Sequence, residues 1–109
     1  MDEADLRAIA GADDLSHMCA VVLAALADRE KGREVLNFNT VDVVLDRDEG
    51  TVLVQDVLDS DAASLRASVV RFKELAAGLT DPQKVSDAIA RRRRAQEERR
   101  VWDMPPGTA

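Results

Sequence analysis

Residues 34–59 read EVLNFNTVDVVLDRDEGTVLVQDVLD. The stretch is rich in valine and alternates apolar with polar side chains, the pattern of half-buried strands. Between its two valine runs stands DRDEG, a hairpin loop with Gly50 placed for a left-handed backbone. One register would put Asp42 opposite Asp56. Like charges facing each other disfavour it, and a shift by one residue gives the preferred pairing of Asp42 with Gln55. Upstream, Leu36 and Phe38 share one parity while Val41, Val43 and Leu45 share the other. A break at Asn39–Thr40, bulge or bend, reconciles them.

Helices flank this stretch. Asp2 caps a short helix over 3–10 that Gly11 stops. Asp13 or Asp14 caps a second, reaching 29–31 before Gly32, with Arg29 and Lys31 suited to its C-terminal dipole. Leu15, Met18, Val22 and Leu26 recur at helical period, and Cys19, Leu23 and many alanines widen that stripe almost all round. This is the central helix.

Beyond the hairpin, residues 59–79 admit two readings. A helix from Ala62 aligns Leu65, Val69, Phe72 and Leu75–Ala76. Alternatively, 64–67 forms a third strand and Ser68 caps a shorter helix. Gly78 ends the helix in both. Thr-Asp-Pro at 80–82 then opens a last helix, with Asp81 as cap and Pro82 at its first position, running to about 100.

The fold class is therefore α+β in one domain, 1–109. Two N-terminal helices precede a central antiparallel hairpin or three-stranded meander, and two helices follow. Leu15, Val22, Leu26, Val43, Val54, Phe72, Leu75 and Ile89 are the expected core. With 17 alanines and three aromatic residues, that core is thin.

The chemistry of catalysis is sparse. One histidine and one cysteine, two residues apart on a helix, point in different directions and do not make a metal site, so no cofactor is expected. The five glycines stand singly at element ends, without a phosphate-cradling loop. Ser16 and His17 are adjacent and do not converge. Asp42 and Asp56 are the best acid–base pair available, and the preferred register separates them. The expectation is a protein that is not an enzyme. A single cysteine, an acidic N-terminus and a longest apolar run of ten residues (18–27), half the roughly 20 of a membrane helix, point to the cytoplasm.

Charge is unevenly spread. Residues 83–102 hold seven basic and three acidic side chains, a balance of +4, which leaves −10 for the rest of a chain whose net charge is −6. Six of the ten residues 91–100 are arginine. Four successive arginines cover a whole helical turn, so the run is not confined to one face. The stripe Val85, Ala88, Ile89 fades at Arg92 and resumes through Ala95 to Trp102, so 91–109 is expected to project or lie loosely as a basic helix end and tail. Arg91, Arg92, Arg94 and Arg99, with Val101, Trp102 and Met104, are the candidate partner-binding residues, since Trp and Arg are enriched at interface hot spots. The partner would be another protein or a second copy. A homodimer is favoured, with Arg94, Arg99 and Trp102 at its interface. Nucleic acid is the alternative, with Arg91–Arg94, Arg99 and Arg100 on phosphates, but no DNA-reading motif accompanies them and tyrosine is absent.

VDVVLDRDEGTVLVQDVLD followed by SVVRFKELAAGL, about residues 41–79, resembles the hairpin-then-helix core of small bacterial immunity proteins that neutralise a cognate toxin. More distantly, the layout is similar to Phd/YefM antitoxins, with LTDPQKVSDAIARR as the toxin-wrapping tail, although the N-terminus lacks that family's basic DNA-binding residues. No functional residue carries over. The resemblance implies a cytoplasmic, non-catalytic inhibitor of a toxin, and a −10 body suits a basic nuclease.

Overall fold

Asp2 and Asp5 reciprocally cap the first helix: the Asp5 N–H donates to Asp2 Oδ1 (2.9 Å) and the Asp2 N–H to Asp5 Oδ2 (3.1 Å). The computed structural model describes residues 1–11, 14–28, 31–58 and 64–102, the last four as backbone only. Helix α1 spans Glu3–Ala10 and ends at Gly11, whose φ of 77° lies in the left-handed region. Helix α2 spans Leu15–Asp28, its first turn closed by the Asp14 carbonyl accepting from the Met18 N–H (2.9 Å). Asp13 and Arg29, considered for its ends, lie outside the described residues.

Four strands follow: β1 Arg33–Asn37, β2 Val41–Asp46, β3 Thr51–Asp56 and β4 Leu65–Ser68. They form one antiparallel sheet in the order β1-β2-β3-β4. The α+β class stands, but the sheet exceeds both the expected hairpin and the three-stranded meander. The extra strand comes from the break at 39–40. It is neither a bulge nor a bend within one strand but a reversal, closed by the Phe38 N–H on the Val41 carbonyl (2.9 Å). A hairpin with a two-residue loop pairs even positions with odd ones, as Leu36 with Val43, so it too produces the parity change. Asp42 does stand opposite Gln55, and Gly50 adopts φ 69°. Of the two readings, the strand forms over the described part of 62–68, as β4 at Leu65–Ser68, while 62 and 63 lie outside the described residues. Ser68 then caps helix α3, Val69–Ala77, its hydroxyl accepting from the Arg71 N–H (3.1 Å).

Helix α4 spans Pro82–Trp102, about 31 Å at 1.5 Å per residue. The Asp81 carboxylate accepts from the Lys84 N–H (2.8 Å), the expected cap. No single helix among the described residues is long and apolar enough to cross a membrane.

The core lies between the inner sheet face and the helices. Val41, Val43, Leu45, Val52 and Val54 meet Leu6, Leu15, Met18, Cys19, Val22, Leu26, Phe72 and Ala76, all buried. Leu75 packs at its border, partly buried. Ile89 is not in it, contrary to expectation: α4 lies along the alanine side of α2, where a crevice beside Ala24 and Ala27 leaves Ile89 half-covered. Phe72 is the largest fully buried side chain. Phe72→Ala should cost about 3–5 kcal/mol in urea unfolding, and a loss below about 1 kcal/mol would contradict this packing.

Candidate partner-binding groove

Glu34 sits on the inner face of β1, in the cross-strand row of Leu45 and Val52. A carboxylate there needs partners, and two distant arginines supply them. Arg92 of α4 forks onto it, Nη1 to Oε2 at 2.7 Å and Nη2 to Oε1 at 2.6 Å, while its Nε donates to Asp28 at the end of α2 (3.0 Å). Arg47, first residue of the β2–β3 loop, donates from Nη2 to Glu34 (2.9 Å) and to the Ala25 carbonyl (2.7 Å). The Gln96 amide donates to Asp28 (2.7 Å). Hydrogen bonding from Arg92 holds the Glu34 carboxyl below its ordinary value, with burial opposing and Arg47 assisting. Glu34 in turn raises the Arg92 pKa.

Beside this cluster an open groove of about 490 Å³ runs between α4 and the start of β1. Its walls carry Lys31, Arg33 and Glu34 from one side, Arg91, Arg92, Ala95 and Gln96 from the other, and Arg47 between. Five cations thus face one carboxylate, and that carboxylate already holds two of them. Lys31, Arg33 and Arg91 make no ion pair among the described residues. The Arg47 side chain is 4% exposed, and its Nε is buried without a hydrogen-bond partner among the described residues.

The structure therefore separates the candidate residues. Arg91 lines the groove, Arg92 is held internally, and Arg94 is exposed away from both. Arg99, Val101 and Trp102 lie on α4, described as backbone only, and Met104 is outside the described residues. Lys31, Arg33, Glu34 and Arg47 join the site through folding alone: the Arg47 N–H on the Gly32 carbonyl (3.0 Å) brings together residues that share no local pattern.

Elsewhere, burial pushes the Cys19 thiol up to about 11, which leaves it protonated and unreactive near neutral pH. The exposed His17 ring meets Phe38 edge-on at 6.2 Å. Ser16 Oγ accepts from Lys84 (2.9 Å) and donates to Thr80 Oγ1 (3.2 Å). Asp42 and Asp56 occupy positions of opposite parity across the β2–β3 pair and so project from opposite sheet faces, too far apart in direction to share a proton. Among the described residues no group of three or more His, Cys, Asp or Glu side chains is placed to hold a metal ion. Comparison with protein-family models, curated proteins and solved structures gives no match to this chain.

Because the Glu34 pKa is depressed in the folded state, its contribution is fully present above its ordinary value of 4.5 and lost as pH falls through the folded value. Glu34→Gln should destabilise the protein at pH 7 by about 1–2 kcal/mol, the partial exposure of the cluster reducing the gain. The difference from the parent should shrink below pH 4.5, as read by urea unfolding at both pH values. A difference constant with pH would mean that the carboxylate charge contributes nothing.

Proposed function

We propose that this chain is a non-catalytic protein-binding module that holds carboxylates of a partner protein in the groove between β1 and α4. It would act as an inhibitor of the kind that the immunity-protein resemblance implies. One observation carries the reading: Lys31, Arg33 and Arg91 face a common groove without ion pairs among the described residues, while Glu34 beside them is saturated by Arg47 and Arg92. Arg33 starts β1 and Arg91 stands on the fastened helix, so their backbones are held before binding, and the cost that remains is the ordering of exposed side chains. Each carboxylate they accept makes a charge-assisted hydrogen bond, worth about 1.5–3 kcal/mol where water is partly excluded.

Phosphates would satisfy the same cations. Sequence-tolerant single-strand binding also uses aromatic stacking platforms, however. Among the aromatic side chains described, Phe72 is buried and Phe38 is half-buried against His17, so neither phenylalanine offers one; Trp102 is described as backbone only.

Calorimetric titration with a short oligo-glutamate, and with a single-stranded oligonucleotide of equal charge, tests the reading. Oligo-glutamate should bind with salt-dependent affinity, weakened about tenfold or more in the triple variant Lys31→Ala, Arg33→Ala, Arg91→Ala. Arg93→Ala with Arg94→Ala should change it little. Tighter binding of the oligonucleotide, lost with the same groove variant, would replace this reading with a nucleic-acid one.

A further inference from the structure

Two hydrogen bonds fix which backbone groups of β1 are already used. The Phe38 N–H donates to the Val41 carbonyl (2.9 Å) and the Arg47 N–H to the Gly32 carbonyl (3.0 Å). Opposed residues of an antiparallel pair alternate between hydrogen-bonded and non-bonded. With both ends so anchored, Glu34/Leu45 and Leu36/Val43 exchange the ladder bonds between β1 and β2. The N–H and C=O groups of Arg33, Val35 and Asn37 therefore point the other way. β1 ends the strand order, so among the described residues they line an open sheet edge.

The two edges of this sheet differ in protection. On the outer face, one cross-strand row runs Val35, Val44, Leu53, Arg66. At the β4 edge the row ends in an arginine, on a four-residue strand that passes directly into α3. A charge and a short strand are the usual guards against further pairing. At the β1 edge the row ends in Val35, 51% exposed, with five regular pairs behind it and neither proline nor bulge; the charges of this edge, Arg33 and the inward-facing Glu34, precede Val35 and stand outside its row. The open edge begins where the basic groove does, since Arg33 and Glu34 belong to both.

We infer that the β1 edge takes an extended acidic segment of the partner protein as a fifth strand. Its backbone bonds to Arg33, Val35 and Asn37, an apolar residue covers Val35, and the carboxylates of the alternate residues, turned to the other face, reach the groove at Lys31 and Arg91. The mode is strand addition, in which the backbone supplies affinity and alternate side chains supply specificity. This rests on the reading of the groove as a carboxylate site. Charge chooses a foreign acidic strand over a second copy: a second β1 paired antiparallel about Val35 would set Arg33 opposite Asn37 and bring no free carboxylate to Lys31, Arg33 or Arg91, its Glu34 being held by its own arginines. The acidic remainder of the chain does not cancel the attraction, because charges beyond about 8 Å are screened at physiological salt.

The probe is a capped peptide of alternating Glu and Val, compared with the same peptide N-methylated at its valines, which keeps the charge but removes ladder donors. The unmethylated peptide should bind about tenfold or more tightly than its methylated form, and should slow amide hydrogen exchange at Val35 and Asn37. Val35→Pro removes one outward N–H, which an edge strand tolerates, and should weaken the Glu-Val peptide while leaving oligo-glutamate binding in place. Should that variant fail to fold, exchange on the parent chain decides. Equal binding of both peptides with unchanged exchange at Val35 and Asn37 overturns the strand addition and leaves the groove reading standing. Failure of oligo-glutamate as well removes the groove reading itself. Protection of the same amides without peptide, rising with protein concentration, would assign the edge to a second copy and overturn the inference.

Discussion

A helix that is apolar on every side must be covered on every side. Helix α2 has eight buried residues among its fourteen, distributed all round its axis. Leu15, Met18, Cys19, Val22 and Leu26 join the core cluster built with the inner sheet face. Ala20 and Ala24, also buried, border the crevices shared with α4. Covering that second side is worth roughly 25 cal/mol per Å² of apolar surface. The small side chains let another helix approach closely. What α4 brings is poor in apolar material: Val85, Ala88 and Ile89, each only half-buried, before the arginines begin. The need for the contact comes from α2, and α4 answers it with little hydrophobic surface of its own.

That imbalance explains the ion cluster. Between Arg92 and Glu98 α4 has no buried apolar residue, and polar bonds continue its inward face. Arg92 lies seven residues beyond Val85 and Gln96 eleven beyond it, so both remain on the side that packs on α2. Arg92 joins α4 to β1 through Glu34 and to α2 through Asp28, and Arg47 ties the β2–β3 loop into the same carboxylate. The cluster is partly exposed, so its net stabilisation is modest. Its larger effect is positional, because a forked guanidinium–carboxylate pair fixes direction as well as distance. The groove between β1 and α4 takes its width from that pair. Packing need, polar fastening and groove form one causal chain.

Local patterns sufficed where each answer depended on neighbours in sequence. Repulsion between Asp42 and Asp56 selected the β2–β3 register, and Thr-Asp-Pro located the start of α4. Ser68 showed its capping role, but the choice between strand and helix at 62–68 stayed open, because pairing with β3 is a tertiary fact. The parity change between Phe38 and Val41 was visible, yet a bulge and a two-residue reversal produce the same signal. Only the partner strand distinguishes them. The groove was less legible still. Lys31 and Arg33 flank a glycine, Arg47 sits in a turn, and Glu34 reads as an ordinary polar position on an alternating strand. Nothing local marks them as neighbours of Arg91.

The arginine run shows why composition alone misplaces such a site. Successive helical residues are turned by about 100°, so four in a row sweep a full turn and no single surface receives them all. Here Arg92 turns inward to Glu34, Arg91 lines the groove, and Arg93 and Arg94 are exposed. One arginine of the four is consumed by the fold, and one adds to cations from a separate segment, Lys31 and Arg33. The groove is basic because three segments distant in sequence converge there. Net charge, −6 for the whole chain, describes solubility and long-range repulsion. Within a screening length of the groove, the positions of Lys31, Arg33 and Arg91 decide what can bind, and those positions follow from how β1 and α4 are pinned together.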